Sequence, residues 1–114
     1  MPKPEHEFFP VTDIPWTPIT DQIPGLTERI LARETESEAA SRMLRFAPGT
    51  DTTPMGVQQH VFWEEVYILE GSMHDLTLDE TFPAGTFACR PPGMRHGPWV
   101  TPEGCVTFEV RYTK

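Results

Sequence analysis

The cleanest pattern in the chain lies at its end. From Val106 to Tyr112 apolar and polar residues alternate, with Val106, Phe108, Val110 and Tyr112 on one face and Thr107, Glu109 and Arg111 on the other. A repeat of two is the mark of a β-strand, whose successive side chains point to opposite faces. Shorter runs precede it. Val66-Tyr-Ile-Leu69 is an apolar run closed by Glu70-Gly71, Met73 to Phe82 alternates around Leu76 and Leu78, and Gly85 to Arg90 follows. Gly and Pro punctuate these runs at intervals of roughly ten residues, which is the rhythm of an all-β sandwich or barrel. Ala47 to Gly56 is a turn-rich loop with two prolines and two glycines.

Two segments are harder to read. Leu26 to Phe46 has helix-forming composition, and Leu26, Ile30, Ala40, Met43 and Leu44 fit a helical face loosely. The competing reading is strand, acidic turn, strand, with Thr27–Arg33 and Arg42–Phe46 as the strands and Thr35 to Ala40 between them. Ahead of it, Pro2, Pro4, Pro10, Pro15, Pro18 and Pro24 exclude a long helix. Phe8, Phe9, Val11, Ile14, Trp16, Ile19 and Ile23 lie between those prolines. So apolar a segment is expected to form an arm, residues 1–25, that lies along the barrel or a neighbouring subunit and buries its rings. An extended segment of this kind adds readily to a partner's sheet edge, so a homodimer is expected.

Composition narrows the class. A chain of 114 residues with 38% hydrophobic and 23% charged residues is one globular domain. It has no apolar run of bilayer length, and its first residues do not resemble a signal peptide. The expectation is a cytoplasmic protein with no membrane partner. A formal charge of −8 disfavours nucleic acid. Cys89 and Cys105 form no CxxC pair and no disulfide framework. Cys89 alternates with Phe87 and reads as a small core residue.

The candidate chemistry lies between Gly56 and His96. Gln58 and His60 are two apart and share a face of an extended segment. Val61-Phe62-Trp63 turns the chain, and Glu64 opens the next strand. A second hairpin through Pro91-Pro92-Gly93 delivers His96. If the two hairpins face each other across a barrel, Gln58, His60, Glu64 and His96 converge inside it. Glu65 is one residue out of phase and should face away. His74 and His6 read as bystanders. Arg90 and Arg95 are either surface groups or, for one of them, a cavity residue that orients an anionic or carbonyl-bearing substrate. Phe62, Trp63, Met94 and Trp99 could wall a pocket for an aromatic or diketone molecule, or serve packing alone.

These residues carry a resemblance. Gly85-x5-Pro91-x-Gly93-x2-His96 matches the second motif of the cupin superfamily up to its histidine, and Glu64-x6-Gly71 matches the end of the first, with His60 four residues ahead of Glu64. Arg45-Phe-Ala-Pro-Gly49, Glu64-Glu65, Leu69-Glu-Gly71, Pro83-Ala-Gly85, Arg90-Pro-Pro-Gly93 and Glu103-Gly-Cys105 resemble the cupin domain of ChrR anti-sigma factors and its stand-alone relatives. Three positions depart from the pattern. Gln58 replaces the first histidine, the loop from Gly49 to Gln58 is longer, and Val100 stands where the second motif ends in Asn.

The resemblance implies a jelly-roll β-barrel over residues 26–114, and it turns the reading of Leu26 to Phe46 to strands. It implies one divalent transition metal on His60, Glu64 and His96. Such a set suits Fe(II), and Mn, Ni, Co, Cu or Zn are accepted alternatives. Gln58 would bind the metal weakly or hydrogen-bond a water or substrate on it. The implied function is a dioxygenase-like enzyme acting on a small carbonyl, enol or aromatic compound, with Glu64 as ligand or base and Gln58 tuning access. The alternatives are a non-catalytic metal or ligand sensor, and an isomerase or lyase in which the metal polarises a carbonyl.

Overall fold

In the computed structural model, which describes residues 1–113, nine strands form one antiparallel sheet. They are β1 (Thr17–Pro18), β2 (Leu26–Arg33), β3 (Ala40–Phe46), β4 (Thr50–Asp51), β5 (Trp63–Asp75), β6 (Glu80–Pro83), β7 (Phe87–Arg90), β8 (Trp99–Thr101) and β9 (Cys105–Tyr112). The order is β1-β2-β3-β9-β5-β8-β4, with β6 and β7 also paired to β5. β5 is the spine. Its first half pairs with β7 and β9, and its second half with β6 and β8.

The sheet curls without closing. Among the described residues, its end strands β1 and β4 do not pair with each other. The closed barrel expected from the sequence is therefore an open half-barrel. Each end strand is only two residues long, and β1 contains Pro18, which has no N–H to give a ladder. Nor do residues 1–25 stand apart as an arm. β1 pairs with β2, and Ile23, 1% exposed, is part of the core. Trp16 lies 4.0 Å beneath the guanidinium of Arg29, while Phe8 is fully exposed, so the aromatic rings of this segment are not all buried.

The helix-prone segment forms β2 and β3. Packing overrides propensity here, because β3 is inserted between β2 and β9 and every backbone group along it has a ladder partner to find. The alternation from Met73 to Phe82 is not one strand. β5 ends at Asp75, and residues 76–79 turn into β6. Asp75 Oδ1 accepts backbone N–H groups of Thr77 and Leu78, both at 2.9 Å, an arrangement that stabilises a turn. Leu76 and Leu78 are exposed on it.

The last strand presents its polar face to the interior. Thr107 and Glu109 are buried and Arg111 is half-buried, while Val106, Phe108 and Val110 lie half-buried on the outer side. Register then orders the interior in rows. Leu26, Phe46 and Cys105 are cross-strand partners at one end, followed by Leu44, Thr107 and Ile68, then Arg42, Glu109 and Val66, then Arg111, Glu64 and Arg90. The interior thus grades from apolar to charged along the strands. Cys105 belongs to the apolar end. Cys89, expected in the core, is exposed, because it shares the outer face with its cross-strand partner Glu65.

Gly71 lets β5 bend from one half of the sheet to the other. The register to β9 shifts between Ile68 and Glu70, and Gly71 follows with φ +74°. A Cβ there would lie 2.1 Å from the carbonyl oxygen of Gly104. Gly71→Ala therefore adds a backbone collision to left-handed strain. It is expected to destabilise the fold by ~3 kcal/mol or more, read as the shift of the urea unfolding midpoint. An unchanged midpoint would mean that the two strands do not approach this closely.

Candidate metal centre

The site is built where two short segments run against each other. Gln58 and His96 form an isolated antiparallel bridge, with Gln58 N–H donating to the His96 carbonyl at 2.7 Å and His96 N–H to the Gln58 carbonyl at 3.0 Å. Gly93 N–H donates to the His60 carbonyl at 2.8 Å. Gly93, with φ +86°, makes the turn that brings the chain back to this bridge. The two imidazoles meet with centroids 5.0 Å apart. His60 stacks on Phe62 and His96 on Trp99, which fixes both rings.

Glu64 comes from the charged row of the sheet. It is 3% exposed, and its cross-strand partners on either side are Arg90 and Arg111. Arg90 Nη1 donates to Oε1 at 3.0 Å and Arg111 Nε to Oε2 at 3.2 Å. Burial raises the pKa of this carboxyl, but Arg111 and Arg90, aided by the two histidines, outweigh it and hold the group below its ordinary range. One row further in, Arg42 bridges Glu28 at 2.7 Å and Glu109 at 3.0 Å. Burial pushes the Glu109 carboxyl up, against the pull of Arg42. Three carboxylates here face three guanidinium groups.

One ligand atom from each of His60, Glu64 and His96 lies within 4.8 Å of the others. His96 has both ring nitrogens buried without a hydrogen-bond partner, its Nε2 standing 3.9 Å from Glu64 Oε1. A buried, unpartnered imidazole is costly unless something else meets it. Burial, and then the charge of Arg90, pushes its pKa down to about 4. Burial likewise lowers that of His60, partly offset by Glu64. Both rings are therefore neutral near pH 7 and offer lone pairs. Two neutral imidazoles and a charged carboxylate are a donor set that fits a divalent transition ion.

Of the other candidates, Gln58 and Arg90 lie at the site and the rest fall elsewhere. Gln58 lines the same inner cavity of about 230 Å³, but its Nε2 donates to the Met55 carbonyl at 3.0 Å. Glu65 is on the outer face, where it accepts a hydrogen bond from the Tyr112 hydroxyl. His74 sits between Thr81 and Asp79, and His6 lies against Phe9. Trp63 stacks on Tyr112, away from the cavity. Arg90 points inward, and Arg95 is exposed at the rim of a larger, mainly apolar cavity of about 390 Å³. Val66, Met73, Phe82 and Trp99 wall that cavity, and Arg90 and His96 belong to both cavities. Sequence reasoning alone does not place Arg42, Glu109 or Arg111 at the site. The signal was the strict alternation of the last strand, which carries Thr107, Glu109 and Arg111 on one face.

Residues 4–113 match the family described as the ChrR cupin-like domain. The chain belongs to that family. Its fold is also that of solved cupins. An RmlC-like cupin from Shewanella frigidimarina superposes with a TM-score of 0.75 at 23% identity, over 97% of this chain and 93% of that one. An acetylacetone dioxygenase from Acinetobacter johnsonii gives 0.75 at 16% identity, over 96% and 75% of the two chains. The anti-sigma factor ChrR of Rhodobacter sphaeroides, solved with SigE, gives 0.63 at 23% identity. There the match covers 86% of this cupin and 48% of ChrR, about half its length. No curated protein matches the sequence. No helix among the described residues is long and apolar enough to cross a membrane.

The buried neutral histidine fixes a pH dependence in the metal-free cupin. Its folded pKa of about 4 lies below the ordinary 6.5, so the unfolded chain takes the proton first. The contribution of His96 is then constant above neutrality and is lost as pH drops from 6.5 towards 4; His60, also lowered, adds to that loss, and Glu109, whose pKa burial raises, opposes it. Glu64, whose pKa is lowered, adds its loss only at still lower pH. Urea unfolding in EDTA at several pH values should show this slope, and His96→Phe should remove most of it. An undiminished slope in His96→Phe would show that His96 is not the neutral buried group.

Proposed function

We propose that this cupin holds one divalent transition metal, Fe(II) by preference, on His60, Glu64 and His96, and acts as a dioxygenase-like enzyme on a small carbonyl, enol or aromatic compound. The observation that carries the reading is His96: a neutral imidazole, buried, with both nitrogens unpartnered, beside a second imidazole and a charged carboxylate. The likeness in fold to an acetylacetone dioxygenase supports the choice of chemistry. Bound there, the metal would supply Lewis acidity at a substrate oxygen and a route for electrons to O2.

The protein's part is positioning. Arg111 holds one oxygen of Glu64 and Arg90 the other, so the carboxylate is charged and fixed before anything binds. Trp99, Phe82, Met73 and Val66 give the substrate a largely dry wall. Gln58 keeps its amide on the loop carbonyl of Met55 and stands beside the donor set. One observation favours a second reading, a non-catalytic metal or ligand sensor: both oxygens of Glu64 already carry guanidinium partners, which weakens the carboxylate as a donor.

Expression with added iron followed by elemental analysis should find close to one ion per chain, and His96→Ala should abolish its uptake. Gln58→His should tighten binding, because position 58 lies directly opposite His96 and an added imidazole is a further metal donor. The iron form should consume O2 with a β-diketone or a hydroxylated aromatic ketone. Full turnover without O2 would replace the dioxygenase by an isomerase or lyase, and bound metal without turnover would favour the sensor. A wild-type chain that takes up no metal sinks the reading.

A further inference from the structure

We infer that Arg90 is the binding group for an apolar organic anion, and that this anion and the metal strengthen each other's binding through Glu64. The inference rests on the metal reading above and names a ligand class for the same site. It begins from how the three interior arginines spend their donors. Arg42 uses Nε, Nη1 and Nη2 on the carboxylates of Glu28 and Glu109. Arg111 gives Nε to Glu64 and lays its guanidinium 4.7 Å from the centre of Phe62. Arg90 gives only Nη1 to Glu64. Its Nε and Nη2 have no protein partner among the described residues, yet they are not among the sealed, unpartnered atoms. Arg90 lines the larger cavity, so an entering ligand can reach its guanidinium.

That cavity has the shape and polarity to use them. It holds about 390 Å³, and Val66, Met73, Phe82 and Trp99 wall it. The guanidinium lies 5.3 Å from the centre of the Trp99 ring. A carboxylate, enolate or phenolate on a flat apolar body would meet the guanidinium with its oxygen and the indole with its face. Asp75, the buried carboxylate of this cavity, is already engaged through Oδ1 by two backbone N–H groups of its turn. Arg95 adds a second cation at the rim.

Coupling follows from the shared carboxylate. The Glu64 oxygen that Arg90 holds, Oε1, is the one nearest His96 Nε2, so Arg90 and a metal compete for it and repel each other as like charges. An anion that takes Arg90's donors offsets that repulsion and loosens its grip on Oε1. Arg111 keeps Oε2, so the carboxylate stays in place. By linkage each ligand must raise the other's affinity by the same factor.

Calorimetric titration of the purified full chain with Mn(II) tests this without any assay of turnover. Benzoate is the probe and benzamide its neutral control. Benzoate at saturation should tighten Mn(II) ~10-fold, within the usual range of such couplings, and benzamide should leave it unchanged. Arg90→Gln should bind Mn(II) more tightly than wild type and lose the effect of benzoate. Arg90→Lys, which keeps a charge but not the fork, should show a reduced effect and serves if the glutamine variant does not fold. Mn(II) bound with the same constant with and without benzoate overturns the coupling and leaves the metal centre standing. A benzoate effect that persists in Arg90→Gln overturns the role of Arg90 and points to direct contact with the metal. No Mn(II) binding under any condition removes the metal centre itself.

Discussion

A carboxylate with almost no contact with water must have its charge answered inside the protein, and Glu64 has it answered twice. Arg90 and Arg111 are its direct neighbours on the two flanking strands, so the clamp is set by sheet register and not by chance contact of long side chains. A slip of one residue in either strand would turn one guanidinium to the outer face and leave the other alone with the charge. The clamp thus ties β5, β7 and β9 to one alignment. Its net contribution to stability is small, because burying three charged groups costs about as much as their attraction returns. What it supplies is position. The carboxylate that faces the two histidines cannot rotate away without abandoning both partners.

The remainder of the interior can be understood as support for that charged row. Apolar groups gather at the opposite end, around Ile23, Leu26, Phe46, Ile68 and Cys105, where burial drives folding. Between the ends, Arg42 and Glu109 pass the charge pattern inward without leaving either group unpaired. Thr107 donates to Glu109 at 3.4 Å, a long contact but one from a fully buried hydroxyl. The half-barrel can stay open because its charged end is polar and walled by aromatic rings, while its apolar end is covered by β1, β2 and the segment that carries Ile23.

Much of this could be read in the sequence, and the failures share a cause. The glycine and proline punctuation marked strand ends, since backbone geometry is local. The convergence of His60, Glu64 and His96 followed from spacing once two hairpins were assumed. Alternation, however, tells which residues share a face and not which face is inside. The last strand shows this: its interior side is Thr107, Glu109 and Arg111, because the charged row needed partners there more than it needed apolar cover. Cys89 was misplaced for the same reason, being one step out of phase with Arg90. Leu76 and Leu78 mimicked a strand because nothing in their spacing reveals that Asp75 caps a turn. Propensity alone favoured a helix over Leu26 to Phe46; the resemblance turned the reading to strands, and the pairing of β3 on both sides is the physical reason strands form there.

Gln58 is the position where sequence and structure together say most. Its backbone makes both hydrogen bonds of the bridge to His96, and its side chain lines the inner cavity with its amide anchored on Met55. The bridge that places His96 therefore depends on the backbone at position 58 and is indifferent to the imidazole that the motif would put there. Replacing that imidazole removes a donor without disturbing the rest of the set. It also removes a group that would compete for the space in front of Glu64 and His96. On the proposed reading, a smaller donor set beside a guanidinium with donors to spare is a site whose affinity for metal is left to be completed by what else enters the cavity.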